Sequence, residues 1–83
     1  MELNILDIAI TTLLRDKRKK LCVPMLEIAR CLDKTHGFIG LVESGKRSLS
    51  VGELEIYCNV LCVKMEDVIA EAKKKVMFQF DLT

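Results

Sequence analysis

Apolar positions fall into helical spacing almost from the start of the chain. Leu6, Ala9, Ile10, Leu13 and Leu14 form one stripe, widened by Leu3, Ile5 and Ile8, which predicts a first helix from about Asn4 to Lys20. Asn4 suits the N-cap, and Asp7 three residues on favours the positive helix end. The segment LCVP at 21–24 breaks the pattern. A residue before proline is pushed out of the helical region, so a second helix starts at Pro24 and carries Leu26, Ile28, Ala29 and Leu32. Asp33-Lys34 is a very short turn. Thr35 is a good N-cap for a third helix, about Thr35 to Ser44, with Ile39 and Val42 at i, i+3 towards the core. Gly45 follows at the position where a left-handed residue ends a helix. Ser48 or Ser50 caps a fourth helix, and SVGE at 50–53 has the capping-box spacing of Ser followed by Glu three residues later. Its Leu54, Tyr57, Cys58 and Leu61 recur at i, i+3, i+4, i+7. A fifth helix near Glu66 to Lys75 turns Met65, Val68, Ile69 and Ala72 inward.

The last segment changes period. In KVMFQFDLT, Val76, Phe78, Phe80 and Leu82 alternate with Met77, Gln79 and Asp81, which predicts a strand. The pattern thus predicts an all-α domain of five helices over 1–75 and a C-terminal β-strand tail over 76–83. A lone strand leaves its backbone unpaired. Either it pairs with the same strand of a second chain, making Val76, Phe78, Phe80 and Leu82 a dimerisation arm, or it frays over its own core.

Composition supports one small helical domain. The 83 residues are 51% apolar, with four glycines and one proline, too few turn residues for an all-β sandwich. No repeat or linker interrupts the chain. Net charge is +1, but its distribution is uneven: RDKRKK at 15–20 packs five cations into six positions, and KKK follows at 73–75. Such runs read either as solvated helix ends, where cations complement the dipole, or as a phosphate-binding patch.

The four cysteines are Cys22, Cys31, Cys58 and Cys62. The acidic start MELNILD is no signal peptide, and the apolar runs are too short to span a bilayer. A cytoplasmic protein with reduced thiols and no membrane association is therefore expected. Cys58 and Cys62 share a helix face, but no C-x-x-C pair occurs and the single histidine is remote. They read as small hydrophobes rather than zinc ligands, and no metal or cofactor is expected. No nucleophile stands beside a base, no acids pair in a cleft, and no glycine loop cradles phosphate, so no enzymatic activity is expected.

Two short helices joined by a tight turn, between a long first helix and a fourth, suggest a helix-turn-helix. The stretch from Leu14 to Ile69 resembles the Cro and lambda-repressor-type (XRE) helix-turn-helix family. The resemblance lies in Leu14, Arg15 and Arg18, in Glu27-Ile28-Ala29 and Leu32, and in Thr35 and Ile39. It continues through Val42-Glu43-x-Gly45-Lys46, then Leu54, Leu61, Val63 and Asp67-Val68-Ile69. It implies a third helix lying in the major groove, with base contacts from Thr35, His36, Gly37, Gly40 and Leu41. Phosphate contacts would come from Arg15 or Arg18, Ser44, Lys46, Arg47 and the backbone amide of Ser48.

The chain departs from the family pattern at several of these positions. Met25 stands where the second helix usually opens with a phosphate-holding Gln, and Leu41 where Gln or Arg is common. Gly37 and Gly40 replace donor-bearing residues, and Asp33-Lys34 replaces a Gly-hydrophobic pair. Bidentate base readout from this helix is thereby lost. Three readings follow. The glycines let backbone approach the groove, with Thr35 and His36 donating and Phe38 or Leu41 touching thymine methyls. Alternatively, Phe38, Leu41 and Met25 form an apolar patch for a protein partner, or Phe38 and Leu41 pack under the neighbouring loop. His36 either donates to guanine or phosphate or is an idle surface side chain.

The expected function is that of a sequence-specific, repressor-like transcription regulator without a sensor domain. It would bind double-stranded DNA as a homodimer, with its third helices in successive major grooves about 34 Å apart. The alternative is the same fold used as a protein-interaction module of antitoxin or antirepressor type.

Overall fold

Five α-helices are present among the described residues of the computed structural model, which covers residues 4–81, with side chains through residue 78. They are α1 (Ile5–Lys20), α2 (Met25–Leu32), α3 (His36–Glu43), α4 (Val51–Val60) and α5 (Met65–Asp81). The helix starts follow local chemistry. Asn4 Oδ1 accepts from the Asp7 amide at 2.8 Å, and Thr35 Oγ1 accepts from the Phe38 amide at 3.1 Å. Ser50 and Glu53 form the full capping box, with the Ser50 amide donating to Glu53 Oε1 at 2.8 Å. Pro24 is extended and serves as the N-cap of α2, so that helix begins one residue later than its sequence suggests.

Four helices end alike. Cys22, Asp33, Gly45 and Cys62 are left-handed, with φ of 58°, 55°, 79° and 57°. The next amide then reaches back to the last turn: Val23 to the Arg18 carbonyl at 3.1 Å, Lys34 to Ala29 at 2.9 Å, Lys46 to Leu41 at 2.9 Å and Val63 to Cys58 at 3.0 Å. This capping satisfies carbonyls that a helix end leaves open, and of the four residues only Gly45 adopts it without a steric penalty.

The core joins all five helices. Leu14, Ile28, Ile39, Val42 and Tyr57 are fully buried, alongside Leu13, Ala29, Leu54, Cys58, Leu61, Val68 and Ala72. Each large aliphatic side chain contributes about 1.5–3 kcal/mol by leaving water. Ala29 is small enough to let α2 lie between α3 and α4. The long helices α1 and α5 pack together, fastened by Lys17 Nζ and Glu71 Oε1 at 3.3 Å.

The predicted strand tail is overturned: residues 76–81 continue α5 as helix. No proline or turn signal interrupts the chain after Lys75, so each new amide finds a carbonyl four residues back. A lone strand would have had no such partner. Val68, Ala72 and Val76 follow one another at i, i+4, i+8, and Val76 is half-buried at the end of that stripe. The helix leaves Met77 and Phe78, which a strand would turn to opposite faces, both in solvent, 63% and 68% exposed. The side chain of Phe80 and the whole of Leu82 lie outside the described residues.

Among the described residues, no helix is long and apolar enough to cross a membrane. Burial pushes the Cys58 thiol up to about 11, with the Glu55 and Glu66 carboxylates adding to it. Its folded value lies above its unfolded value, so the linked stability is complete below about pH 9 and is lost as pH rises towards 11, by about 1.4 kcal/mol per pH unit. Urea unfolding at pH 8, 9.5 and 11 is expected to show this loss, and Cys58→Ala to flatten it. An unchanged slope in the variant would show that Cys58 is not the group responsible.

Candidate nucleic-acid interface

The turn between α2 and α3 fixes the direction of α3. Left-handed Asp33 reverses the chain, and Thr35 at once caps the new helix. Ile39, Val42 and Glu43, at i, i+3, i+4, face inward. Gly37, Leu41 and Ser44 are thereby turned outward, with Gly40 half-covered and Thr35 and His36 exposed at the amino end. Leu41 is 45% exposed. The sequence-derived base-contact residues thus share one outer surface of α3. The amides of His36 and Gly37 belong to the first turn, where a helix has no internal acceptor to offer.

The glycines are not required by packing. A Cβ on Gly37 would come no nearer than 3.8 Å to Thr35 Oγ1, and one on Gly40 no nearer than 3.9 Å to Met25 Cε. Both are ordinary van der Waals separations. The absent side chains leave backbone accessible on the outer face without serving the fold.

Glu43 is the buried anchor of α3. Arg18 grips it with both arms of its fork: Nε donates to Oε2 at 2.7 Å and Nη2 to Oε1 at 2.9 Å. The Tyr57 hydroxyl donates to Oε2 at 2.6 Å, and Arg18 Nη1 donates to the Val23 carbonyl at 2.9 Å. One carboxylate therefore ties α3 to α1, to α4 and to the turn before α2. The hydrogen bond to Glu43 holds the Arg18 guanidinium above its usual value. Burial, then the Glu43 carboxylate, raises the Tyr57 phenol. Such charge-assisted, bidentate contacts are strong and directional.

This clasp removes Arg18 from the phosphate candidates. The residue is only 7% exposed, and all three nitrogens of its fork donate inside. Arg15 is partly exposed and approaches Asp16 at 3.8 Å. Ser44 is exposed and its hydroxyl donates to the Leu41 carbonyl at 3.2 Å. Lys46 and Arg47 are exposed just beyond α3, and Ser48 is half-buried. The basic run at 15–20 divides: Lys17 pairs with Glu71, Arg18 is buried, and Lys19 and Lys20 project from the last turn of α1. There, cations complement the helix dipole.

Phe38 is half-buried against the core, with Lys34 Nζ 5.3 Å and Arg47 Cζ 5.0 Å from its ring centroid. Met25 is likewise half-buried, while Leu26, at 57% exposed, is open. The Glu53 carboxylate is held below its usual range by the Ser50 amide first, then by the Ser50 hydroxyl, Lys34 and Arg47. Lys34 Nζ lies 3.8 Å from Glu53 Oε2.

Sequence reasoning missed the clasp and the role of Lys34. The clasp left one signal: Glu43 falls on the core stripe of Ile39 and Val42, where an acid must find a partner. Lys34 left none, because its approach to Phe38 depends on how the turn folds. Among the described residues, no three His, Cys, Asp or Glu side chains gather as metal ligands would.

No family model and no curated protein matches this chain. Solved structures do share its fold. A crystal structure of the clp gene regulator ClgR from Corynebacterium glutamicum superposes with a TM-score of 0.82 at 24% identity, covering 99% of this chain and 86% of that one. A second ClgR crystal structure gives 0.77 at 26% identity, covering 88% of this chain and 95% of that one. The fold found here is thus shared with the clp gene regulator ClgR.

Proposed function

We propose that the chain is a DNA-binding transcription regulator that lays α3 in the major groove. The observation that carries this reading is the presentation of α3. Its inner side is locked by Glu43, and its outer side offers Thr35, His36 and bare backbone at Gly37 and Gly40. The likeness to ClgR, a gene regulator, supports it. Thr35 and His36 donate to base edges, and Leu41 meets a thymine methyl. Lys46, Arg47, Arg15, Ser44 and the Ser48 amide hold phosphates. With so few donors, discrimination rests partly on duplex shape. The regulator is repressor-like, cytoplasmic and homodimeric. Its two copies meet through the exposed apolar end of α5, where Met77 and Phe78 stand in solvent, in place of a strand pair.

Titration of labelled duplex DNA at about 50 and 200 mM salt tests the reading, since each phosphate contact adds about 0.9 to the slope of log affinity against log salt. Lys46→Ala is expected to weaken all duplexes alike, whereas His36→Ala blunts the preference among them. Binding that ignores salt, or no binding at low salt, sinks the proposal. Phe78→Glu is expected to leave a monomer by sedimentation, and a wild-type chain that is already monomeric refutes the dimer.

A second reading is favoured by the exposure of Leu26 and Leu41 on α2 and α3. Two open leucines suit a protein partner of antitoxin or antirepressor type. Salt-independent failure to bind DNA is the result that would favour it.

A further inference from the structure

We propose that Lys34, Phe38 and Arg47 form a two-cation clamp for duplex phosphates, with Glu53 as its resting counter-charge; this deepens the DNA-binding reading and rests on it. The cations come from opposite ends of α3: Lys34 precedes its cap and Arg47 lies in the loop beyond it. Both converge on one ring in the first turn of the helix, at 5.3 Å and 5.0 Å from the Phe38 centroid. The ring itself is seated against the core. A long basic side chain normally loses rotamer freedom when it meets a phosphate. Stacked on an anchored ring, these two have lost part of that freedom beforehand, which makes them better ligands than free surface lysines.

The charges at this site point to an anion as occupant. Two like charges drawn to one ring repel each other, and among the described residues the one carboxylate within 4 Å of either is Glu53. Glu53 is already engaged by the Ser50 amide in the capping box. Its pairing with Lys34, at 3.8 Å and partly exposed, is loose and easily exchanged for another anion. The Phe38 ring is correspondingly not a reader of thymine methyls. Its face is taken by the cations, so its part is to position them. A duplex fits better than an isolated anion, because the cations come from the segments on either side of α3, whose outer face carries bare backbone at Gly37 and Gly40.

The test compares variants on a mixed-sequence duplex across a salt series, with thermal unfolding followed in parallel. Lys34→Ala and Arg47→Ala are each expected to lower the salt slope by about 0.9 without changing sequence preference. Phe38→Leu keeps both charges and most of the buried volume. It is expected to weaken binding about three- to tenfold on every duplex, with the slope almost unchanged. Glu53→Gln retains the capping contact and is expected to tighten binding, whereas a structural role alone would leave affinity unmoved. If Lys46→Ala lowers the slope and Lys34→Ala does not, DNA binding stands and the clamp falls. A change in melting temperature alone for Lys34→Ala overturns the clamp equally. If the wild-type chain binds no duplex, the DNA reading falls first and the clamp with it.

Discussion

Arg18→Ala is expected to remove about 3–5 kcal/mol of unfolding free energy, because it leaves the Glu43 carboxylate buried without its cation. Glu43 is 6% exposed and would retain only the Tyr57 hydroxyl. A domain of this size has about 5–15 kcal/mol of stability in all, so the variant should be largely unfolded at modest urea. Replacing the group together, as Arg18→Met, Glu43→Leu and Tyr57→Phe, is expected to restore most of the loss, because no charge is then stranded and only the part-buried Val23 carbonyl loses its donor. Urea unfolding of the two variants decides the matter. A loss below about 1 kcal/mol for Arg18→Ala would mean that water reaches Glu43 and that the clasp does not govern the fold.

The second large effect has opposite signs in stability and in binding. Gly37→Ala with Gly40→Ala is expected to stabilise the domain by about 1 kcal/mol per site, since both positions are helical and have room for a methyl group. The same methyl groups project from the outer face of α3. There they hold the backbone away from the groove, and DNA affinity is expected to fall at least about tenfold. Gly52→Ala is the control. It lies in α4 with nothing within 4 Å of an added Cβ, so it should stabilise the domain to a similar extent and leave binding alone. If the double variant binds DNA as tightly as the parent, close backbone approach is not what the glycines provide.

Much of the fold was legible because its signals are local. Asn4, Thr35, Ser50 and Glu53 cap helices through groups three residues away, so a short window of sequence contains the whole interaction. Gly45 likewise marks the end of α3 by itself. Cys22 and Cys62 end helices in the same conformation but carry no such mark, because a left-handed cysteine is stabilised by its surroundings rather than by its type. The tail misled for a related reason. Alternation over nine residues is a genuine strand pattern, yet backbone hydrogen bonding decides the conformation, and the preceding helix supplied acceptors where the described residues hold no second strand.

The outer face of α3 was legible as a list of residues, since helical spacing alone assigns Gly37, Gly40 and Leu41 to one side. What held that face in place was not legible. Arg18 looked like one more cation in a basic run, and only the fold shows that it turns inward while Lys19 and Lys20 do not. Lys34 and Arg47 are thirteen positions apart, and nothing in their spacing announces a shared ring.

The Arg18–Glu43–Tyr57 clasp also bears on how long the folded state lasts. Its partners lie 25 and 14 residues from Glu43 along the chain, whereas helices form from neighbours within about a microsecond. The carboxylate gives up its water only when α1, α3 and α4 have already met, so the contact closes late on the route to the native state. Interactions absent from the transition state act on unfolding rather than folding. The clasp is therefore a brake on escape: it lengthens the lifetime of a correctly aimed α3 without hastening its assembly.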